Sequence, residues 1–273
     1  MGNTAVITYI DENYMENLKI DFLGSLSEKA HYSGKVIVID YSDSDELVEE
    51  DFPKLDIEVV RCKKILPVYT QRYWDIWKVI SKLPDTITQI LVVDGGDVWF
   101  QKSIDGIFEH TINRIGCVEE IQVIGDDEWT DKCVANLTDT TRMALLKKCS
   151  GTHVKNSGLL CGPRNLVFSL IKKVYDDIVN EGINFFGIDQ LFVNYRFTDI
   201  PEEEKCILPM SYNFVLVTNK NGFKIENDIV TTIDGETVTV VHNAGGAWRV
   251  LQRPFKNKHM NQEQYFVENV ELI

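Results

Sequence analysis

An acidic turn follows one short apolar run of the chain. Residues 90–93 (ILVV) read as a strand buried on both faces, and Asp94 and Asp97 follow directly in the segment DGGD. Ligands gather at the carboxyl ends of strands in open α/β sheets, and carboxylates placed there are costly unless a cation uses them. Oxygen ligands suit Mn²⁺ or Mg²⁺. The alternative is a tight turn, for which the same residues are good chemistry.

The segments that must position this turn alternate between strand and helix patterns. Two β-branched runs enclose a segment of helical spacing, which predicts a β-α-β beginning. The whole pattern predicts an α/β fold with a sheet flanked by helices. The predicted strands are 4–9, 35–40, 57–62, 90–93, 117–124 and 158–161, with short β pieces over 215–241. Helical spacing occurs over 15–29, 74–82, 166–180 and 188–197, with an acidic loop at 125–131 and a Leu-rich segment at 142–148.

Length and composition favour one domain. A chain of 273 residues, 44% of them hydrophobic, buries one substantial core, so we expect a single domain over 1–273 with a polar tail from about residue 250. The formal charge of −14 argues against nucleic acid, because affinity for a phosphate backbone requires clustered Lys and Arg. A nucleotide remains compatible with this charge if a metal or a few local cations offset the phosphates.

Patterns missing from the sequence indicate the compartment of the protein and the state of its cysteines. The amino terminus lacks the pattern of a secretory signal, and no apolar run reaches 18 residues, which predicts a cytoplasmic protein without a transmembrane segment. Peripheral membrane contact stays open. The six cysteines include no C-x-x-C pair, so we expect mostly buried free thiols rather than a zinc ribbon or a disulfide framework.

The segment VVDGGDVWF resembles the strand-end acidic motif of GT-A glycosyltransferases, commonly D-x-D followed by a hydrophobic residue. Asp97 takes the position of the second Asp, Gly95 takes that of the first, and Asp94 is displaced by one residue into a D-x-x-D variant. The resemblance implies Asp97 as a metal ligand. It implies Asp94 either at the metal or against the ribose or sugar hydroxyls of the donor.

Three later segments resemble the same superfamily, in particular the branch of glycogenin and the bacterial lipopolysaccharide galactosyltransferases. They are NSG at Asn156, DQ at Asp189 and Gln190, and HNAG from His242 to Gly245, in the family's order. The resemblance implies that Asn156 faces the donor sugar, that His242 completes the metal shell, and that the Gly245 backbone approaches the diphosphate. Asp189 and Gln190 would form the wall beside an oxocarbenium-like centre. Taken singly, each residue also has a local reading as a turn, a helix cap or a strand end.

Contacts to the nucleotide are also implied by the resemblance. The superfamily holds the base at the end of the first strand, where this chain has Thr8, Tyr9, Asp11 and Tyr14. Lys78 lies 16 residues before Asp94, near the spacing of a basic residue that contacts the donor. The family's late Lys-Pro-Trp is absent, and Arg249 is assigned to the diphosphate instead.

These assignments predict a metal-dependent glycosyltransferase of the GT-A type. It would move a sugar from a nucleotide-diphosphate sugar, a UDP-sugar by resemblance, to a carbohydrate or glycoconjugate acceptor, with retention of configuration. Inversion would need a general base, for which the acidic loop offers Asp126, Asp127 and Glu128.

Three other classes of protein stay open. A sugar-phosphate nucleotidyltransferase usually has a glycine-rich basic loop after its first strand, where this chain reads TYIDENY. A noncatalytic carbohydrate-binding protein of the same fold would be indicated by lost metal ligands. A phosphatase of the haloacid dehalogenase type would need a nucleophilic Asp motif after the first strand.

Overall fold

Strands and helices alternate through most of the chain in the computed structural model, which describes residues 2–43, 47, 51–219, 222–227 and 229–244. The strands are β1 (Thr4–Ile10), β2 (Lys35–Asp40), β3 (Asp56–Arg61), β4 (Gln89–Val93), β5 (Val98–Phe100), β6 (Ile115–Val123), β7 (His153–Pro163), β8 (Lys205–Leu208), β9 (Phe214–Val215), β10 (Phe223–Glu226), β11 (Ile229–Thr232) and β12 (Val240–His242). The α-helices are α1 (Met15–Asn17), α2 (Gly24–Glu28), α3 (Val68–Lys82), α4 (Asp105–His110), α5 (Glu128–Ala135), α6 (Asp139–Cys149), α7 (Arg164–Glu181) and α8 (Ile188–Phe197).

Seven strands form the main sheet in the order β3-β2-β1-β4-β7-β6-β8. β1 pairs in parallel with both β2 and β4, whereas β7 runs antiparallel to β4 and β6. The chain order therefore reverses between β1 and β4, which opens a crevice at the carboxyl ends of these two strands. Since β7 runs the other way, its amino-terminal half lies at that same edge.

Helices cover both faces of this sheet, as the continuous apolar runs require. Ile7 belongs to the apolar cluster that contains residues of α3, α7 and α8, whereas its neighbour Val6 belongs to a cluster with Phe22 and Phe108 on the other face. The alternation follows from the two-residue period of a strand. The helical segment that supplies Phe22 is composite, because a π turn (Leu18–Leu23) separates α1 from α2.

A second, smaller sheet in the order β5-β12-β9 stands beside the main one. β5 begins one residue after Asp97, and β12 pairs antiparallel with it while pairing in parallel with β9. β10 and β11 form an antiparallel hairpin. This small sheet brings the last described strand against the acidic turn.

The predicted fold class, an α/β fold with a mixed sheet flanked by helices, is confirmed. The prediction of an acidic loop at 125–131 is wrong in part, because α5 begins at Glu128 after the Asp127 side chain caps it through the backbone N–H of Thr130. The Leu-rich segment lies in α6, and α3 begins six residues before the predicted helix. The tail from about residue 250 lies outside the described residues.

The structure also bears on the expectations about the cysteines and about transmembrane segments. All six cysteines are free thiols, and four of them are buried. None of the helices in the described part of the chain is long and apolar enough to cross a membrane.

Candidate functional site

A cavity of about 630 Å³ opens at the carboxyl ends of β1 and β4. Its volume is in the range of small-molecule and cofactor sites. One side is lined by the end of β1 and the acidic turn, and the other side by residues of α5, α8 and the loop before α8. The crevice expected from the strand order is therefore a formed cavity with charged groups at its centre.

The acidic turn and the last described strand converge in this cavity. Nε2 of His242 lies 3.7 Å from Oδ2 of Asp94 and 3.5 Å from Oδ1 of Asp97. One ligand atom from each of the three residues lies within 4.8 Å of the others. His242 is buried, whereas each carboxylate retains about a fifth of its exposure and faces the cavity.

Strand register explains why residues so distant in sequence meet. His242 in β12 pairs with Val98 in β5, which directly follows Asp97, and the backbone N–H of Asn243 donates to the Asp97 carbonyl over 2.8 Å. On the other side, the Asp94 N–H donates to the carbonyl of Gly158 in β7. A Cβ at Gly158 would lie 2.5 Å from the His242 ring and 2.8 Å from Asp94, so only glycine allows this approach.

The three side chains fit a divalent cation. Two carboxylates and one imidazole nitrogen form a donor set that suits Mn²⁺ or a similar ion, with room left toward the cavity for water or phosphate oxygens. The other ring nitrogen of His242 bonds with Oδ1 of Asn213 at 3.1 Å, which is the kind of support that oriented metal-ligating histidines have.

Arg72 in α3 supplies the buried cation of the site. Its guanidinium donates to Oδ1 of Asp94 over 2.6 Å, contacts Oδ2 of Asp189, and donates to Ser157 over 3.3 Å. Burial opposes the charge, but the surrounding Tyr73, Asp94 and Asp189 outweigh it and raise the pKa of Arg72. Arg72 therefore stays charged and joins the acidic turn to the start of α8.

Lys78, the sequence-based candidate for a donor contact, is not brought to the cavity. Its ammonium lies 3.3 Å from Asp75 and 4.8 Å from the centre of the Trp74 ring. Because α3 leads back to the start of β4, its first turns lie near the carboxyl edge of the sheet, and Lys78 lies roughly 9 Å farther along the helix than Arg72 at 1.5 Å per residue. The cation on this helix that reaches the site is Arg72.

The predicted wall residues lie in the cavity, and each is held by hydrogen bonds. Besides Arg72, Oδ2 of Asp189 accepts from Ser157 over 3.2 Å. Oε1 of Gln190 accepts from the Ser157 backbone, and its Nε2 donates to Glu120 over 3.3 Å. Asn156 is buried, donates to Glu120 over 2.8 Å and accepts from the Gly158 N–H. The NSG and DQ segments thus form one hydrogen-bonded wall of the cavity.

Glu120 in β6 is a buried carboxyl at this wall. Burial raises the pKa of Glu120, and the hydrogen bonds from Asn156 and Gln190, with His242 nearby, oppose that rise only in part. Gln122 lies two residues on and so shares the same face of β6. Its buried Oε1 has no hydrogen-bond partner among the described residues, although the residue lines the cavity.

Residues predicted around the nucleotide base divide into two groups. Tyr9, Asp11 and Tyr14 line the cavity. Thr8 does not, because the alternation of β1 turns it to the opposite face, where it is fully buried and its Oγ1 lies 2.5 Å from the place of a Gly95 Cβ. The structure therefore does not bring Thr8 to the cavity with the other residues predicted around the base.

The three lining residues differ in how far they are already engaged. Tyr9 donates its hydroxyl to Asp94, and the Arg72 guanidinium lies 4.7 Å from the centre of its ring. Asp11 pairs with Lys64 at 3.1 Å. Tyr14 is the most exposed of the three, with 44% of its surface accessible. Of the two aromatic rings on this side of the cavity, Tyr14 is therefore the better placed to receive a flat ligand.

An aromatic rim, formed by Tyr69, Trp129 and Phe186, borders the opposite side of the cavity. Phe186 is 67% exposed and Trp129 is 40% exposed, although both are large apolar side chains. The Phe186 ring meets that of Tyr69 edge to face at 6.0 Å. Gly187 has a φ of +95°, and a Cβ there would lie 2.8 Å from Trp129, so the glycine lets the loop pass close under the indole.

The acidic loop offers less than predicted as a source of a general base. Asp127 lines the cavity but caps α5, and Glu128 is exposed and pairs with Lys132 at 2.6 Å. Two assigned residues of the late segment, Gly245 and Arg249, lie outside the described residues.

Among the site residues that sequence reasoning missed are Arg72, Glu120, Trp129 and Asn213. For Glu120 a signal was present, since Glu120 and Gln122 alternate with apolar residues and so mark a polar face within a predicted strand. The other three have no local pattern that separates them from ordinary surface or turn residues.

Comparisons with known proteins identify the class of fold. No protein-family model matches the chain, and no curated protein sequence is significantly similar to it. Solved structures do match: the chain has the GT-A fold. An active-site mutant of LgtC aligns with a TM-score of 0.60 and 14% identity over 96% of this chain and 93% of that one. The galactosyltransferase LgtC in complex with donor and acceptor sugar analogues aligns with a TM-score of 0.57 and 14% identity, over 91% of this chain and 90% of that one.

Proposed function

We propose that this protein is a metal-dependent glycosyltransferase that moves a sugar from a nucleotide-diphosphate sugar to a carbohydrate hydroxyl. The observation that carries the proposal is the convergence of Asp94, Asp97 and His242 beside Arg72 in a cavity at the reversal of strand order. The similarity to LgtC supports it, since that galactosyltransferase has been solved with donor and acceptor sugar analogues.

The donor occupies the cavity lengthwise in this proposal. Tyr14 stacks on the base, which we take to be uracil, and Asp11 meets polar groups of the nucleoside. The diphosphate lies at Asp94, Asp97 and His242, where a bound divalent cation would supply positive charge to the departing phosphate oxygens. The sugar then faces the wall of Asp189, Gln190 and Glu120 on the far side of the metal ligands.

The chain's own residues orient these parts. Arg72 holds Asp94 and Asp189 in fixed positions, so neither carboxylate has to reorganise when charge develops on the leaving group. Asp189 and Glu120 present negative charge or hydrogen-bond acceptors toward the glycosyl centre, which becomes positively charged as the bond breaks.

Transfer proceeds with retention in this proposal. Inversion requires a free base near the acceptor hydroxyl. Asp126 does not line the cavity, Asp127 caps α5, and Glu128 pairs with Lys132, so none of the three supports that role. The anomer released by slow donor hydrolysis, followed by proton NMR at early times, tests the assignment, because release of the opposite anomer would contradict it.

The acceptor is a carbohydrate that lies on the aromatic rim. Exposed indole and phenyl rings offer apolar faces that suit the C–H face of a pyranose. The exposure of Phe186 and Trp129 is otherwise unexplained by packing within the described residues.

A hydrolysis panel tests the donor assignment without knowledge of the acceptor. UDP-, GDP- and CMP-sugars are incubated with the protein in Mn²⁺ or in chelator, and released nucleotide and sugar are identified. We expect release of UDP and free sugar in Mn²⁺ only, and loss of that activity in Asp97→Asn. The matched control, Asp176→Asn, removes a carboxylate that pairs with Lys172 on α7 and retains activity.

The products also separate the alternatives. Formation of sugar 1-phosphate together with nucleoside triphosphate when pyrophosphate is added would indicate a nucleotidyltransferase. Tight binding of a nucleotide sugar without cleavage would indicate a noncatalytic protein. Full activity of Asp97→Asn would remove the proposed metal site.

A further inference from the structure

Four buried side chains form one line of hydrogen bonds behind the cavity. His242 Nδ1 lies 3.1 Å from Asn213 Oδ1, Asn213 Nδ2 donates to Asn156 Oδ1 over 2.9 Å, and Asn156 Nδ2 donates to Glu120 Oε1 over 2.8 Å. Each residue is more than nine-tenths buried. Because water is excluded there, the direction of every donor and acceptor has a large energetic consequence.

A backbone group sets the direction of the whole line. The N–H of Gly158 can only donate, and it lies 2.8 Å from Oδ1 of Asn156, so that atom must be the amide oxygen. The same oxygen is met by Asn213, which must therefore present its nitrogen. The remaining atom of the Asn213 amide, its oxygen, faces His242.

The orientation of Asn213 determines which nitrogen of His242 carries the proton. An amide oxygen only accepts, so Nδ1 of His242 carries a hydrogen, and in the neutral ring Nε2 then keeps its lone pair toward Asp94 and Asp97. Only a nitrogen with a free lone pair ligates a metal.

We infer that Asn213 is a positioning residue that holds His242 in its metal-binding tautomer, with its own orientation set through Asn156 by the Gly158 backbone. This inference rests on the proposed function, from which it takes the binding of a metal ion at His242.

The small sheet explains how Asn213 reaches this place. β9 begins at the next residue and pairs in parallel with β12, so that Phe214 aligns with Val241 and Val215 with His242. Asn213 stands directly before that pairing, after a short 3-10 turn at Met210–Tyr212. The two strands therefore deliver the histidine and its partner together.

The test measures the tautomer and the metal affinity separately. His242 is observed in metal-free protein by two-bond ¹H–¹⁵N correlation with ¹⁵N-labelled histidine, and Mn²⁺ binding is titrated by calorimetry. Asn213→Leu removes the acceptor at similar volume, whereas Asn213→Asp keeps an acceptor for Nδ1–H. The control, Asn219→Leu, removes a buried asparagine that bonds Val215 and Thr218 instead.

We expect the Nδ1–H form in the unmodified protein, in Asn213→Asp and in Asn219→Leu. Asn213→Leu should lose that preference and bind Mn²⁺ about 10- to 100-fold more weakly, as found when the outer partner of a metal-ligating histidine is removed. A neutral His242 with its hydrogen on Nε2 in the unmodified protein, or an unchanged tautomer and affinity in Asn213→Leu, would overturn the inference. If Asn213→Leu does not fold, loss of the Nδ1–H form in Asn213→Asp would overturn it.

These outcomes separate the inference from the proposed function. No Mn²⁺ binding by the unmodified protein contradicts the metal-dependent transferase, whereas the tautomer, measured without metal, still decides the role of Asn213.

Discussion

Replacing Arg72 by methionine removes the buried cation that joins two carboxylates. The side chains of Arg72 and Asp189 are each only 6% exposed, and that of Asp94 is 21% exposed. Breaking a buried pair by removing one partner leaves a charge without compensation, which costs about 3–5 kcal/mol. Most natural domains have about 5–15 kcal/mol of stability, so the variant should remain folded.

The expected loss corresponds to a measurable change in melting temperature. At roughly 2 °C per kcal/mol for a chain of this size, Arg72→Met should melt about 6–10 °C lower than the unmodified protein. The measurement is calorimetric unfolding of the metal-free protein at neutral pH. A double variant, Arg72→Met with Asp189→Asn, should recover a large part of the loss, because the orphaned charge is removed together with its partner.

Lys82→Met is the matched control on the same helix. Its side chain is exposed at the last turn of α3, so its removal should cost less than about 1 kcal/mol and leave donor hydrolysis unchanged. If Arg72→Met melts within about 1 °C of the unmodified protein, the claim that Arg72 compensates the buried carboxylates is refuted. A double variant no more stable than the single one would refute the assignment of Asp189 as its partner.

Two further predictions concern the wall and the rim. Because burial raises the pKa of Glu120, the folded protein holds that proton more tightly than the unfolded chain, so its contribution to stability falls as the pH rises above the ordinary value of 4.5. Glu120→Gln should therefore gain stability relative to the unmodified protein between pH 4 and pH 7 in chemical denaturation, and a difference independent of pH would contradict this. Trp129→Ala should raise the KM for a saccharide acceptor about 2- to 10-fold through lost aromatic contact, while donor hydrolysis stays unchanged. A parallel loss in both reactions would show that the indole supports the donor site instead.

Much of the fold could be predicted from local patterns. The apolar runs of β1, β2 and β4 are long enough to identify buried parallel strands, and the spacing in α7 and α8 identifies helices that cover them. The acidic turn after β4 could also be predicted from one segment, since two carboxylates at the end of a strand indicate a cation site without knowledge of the rest of the fold. The order of the later motifs supplied the candidates Asn156, Asp189 and His242.

What the sequence determined by itself was therefore the longer strands and helices, whose apolar residues recur with periods of two and 3.6 within one segment. It also determined the chemical types of the residues at the end of β4. Tertiary structure decided which distant groups meet there. The pairing of β12 with β5 brought His242 to Asp97, and the direction of α3 placed Arg72 rather than Lys78 beside Asp94. The antiparallel course of β7 set Asn156 where Asn213 could reach it. These contacts join residues from 22 to about 145 positions apart along the sequence. Register and helix direction over such separations follow from packing of the whole core, which no local pattern contains.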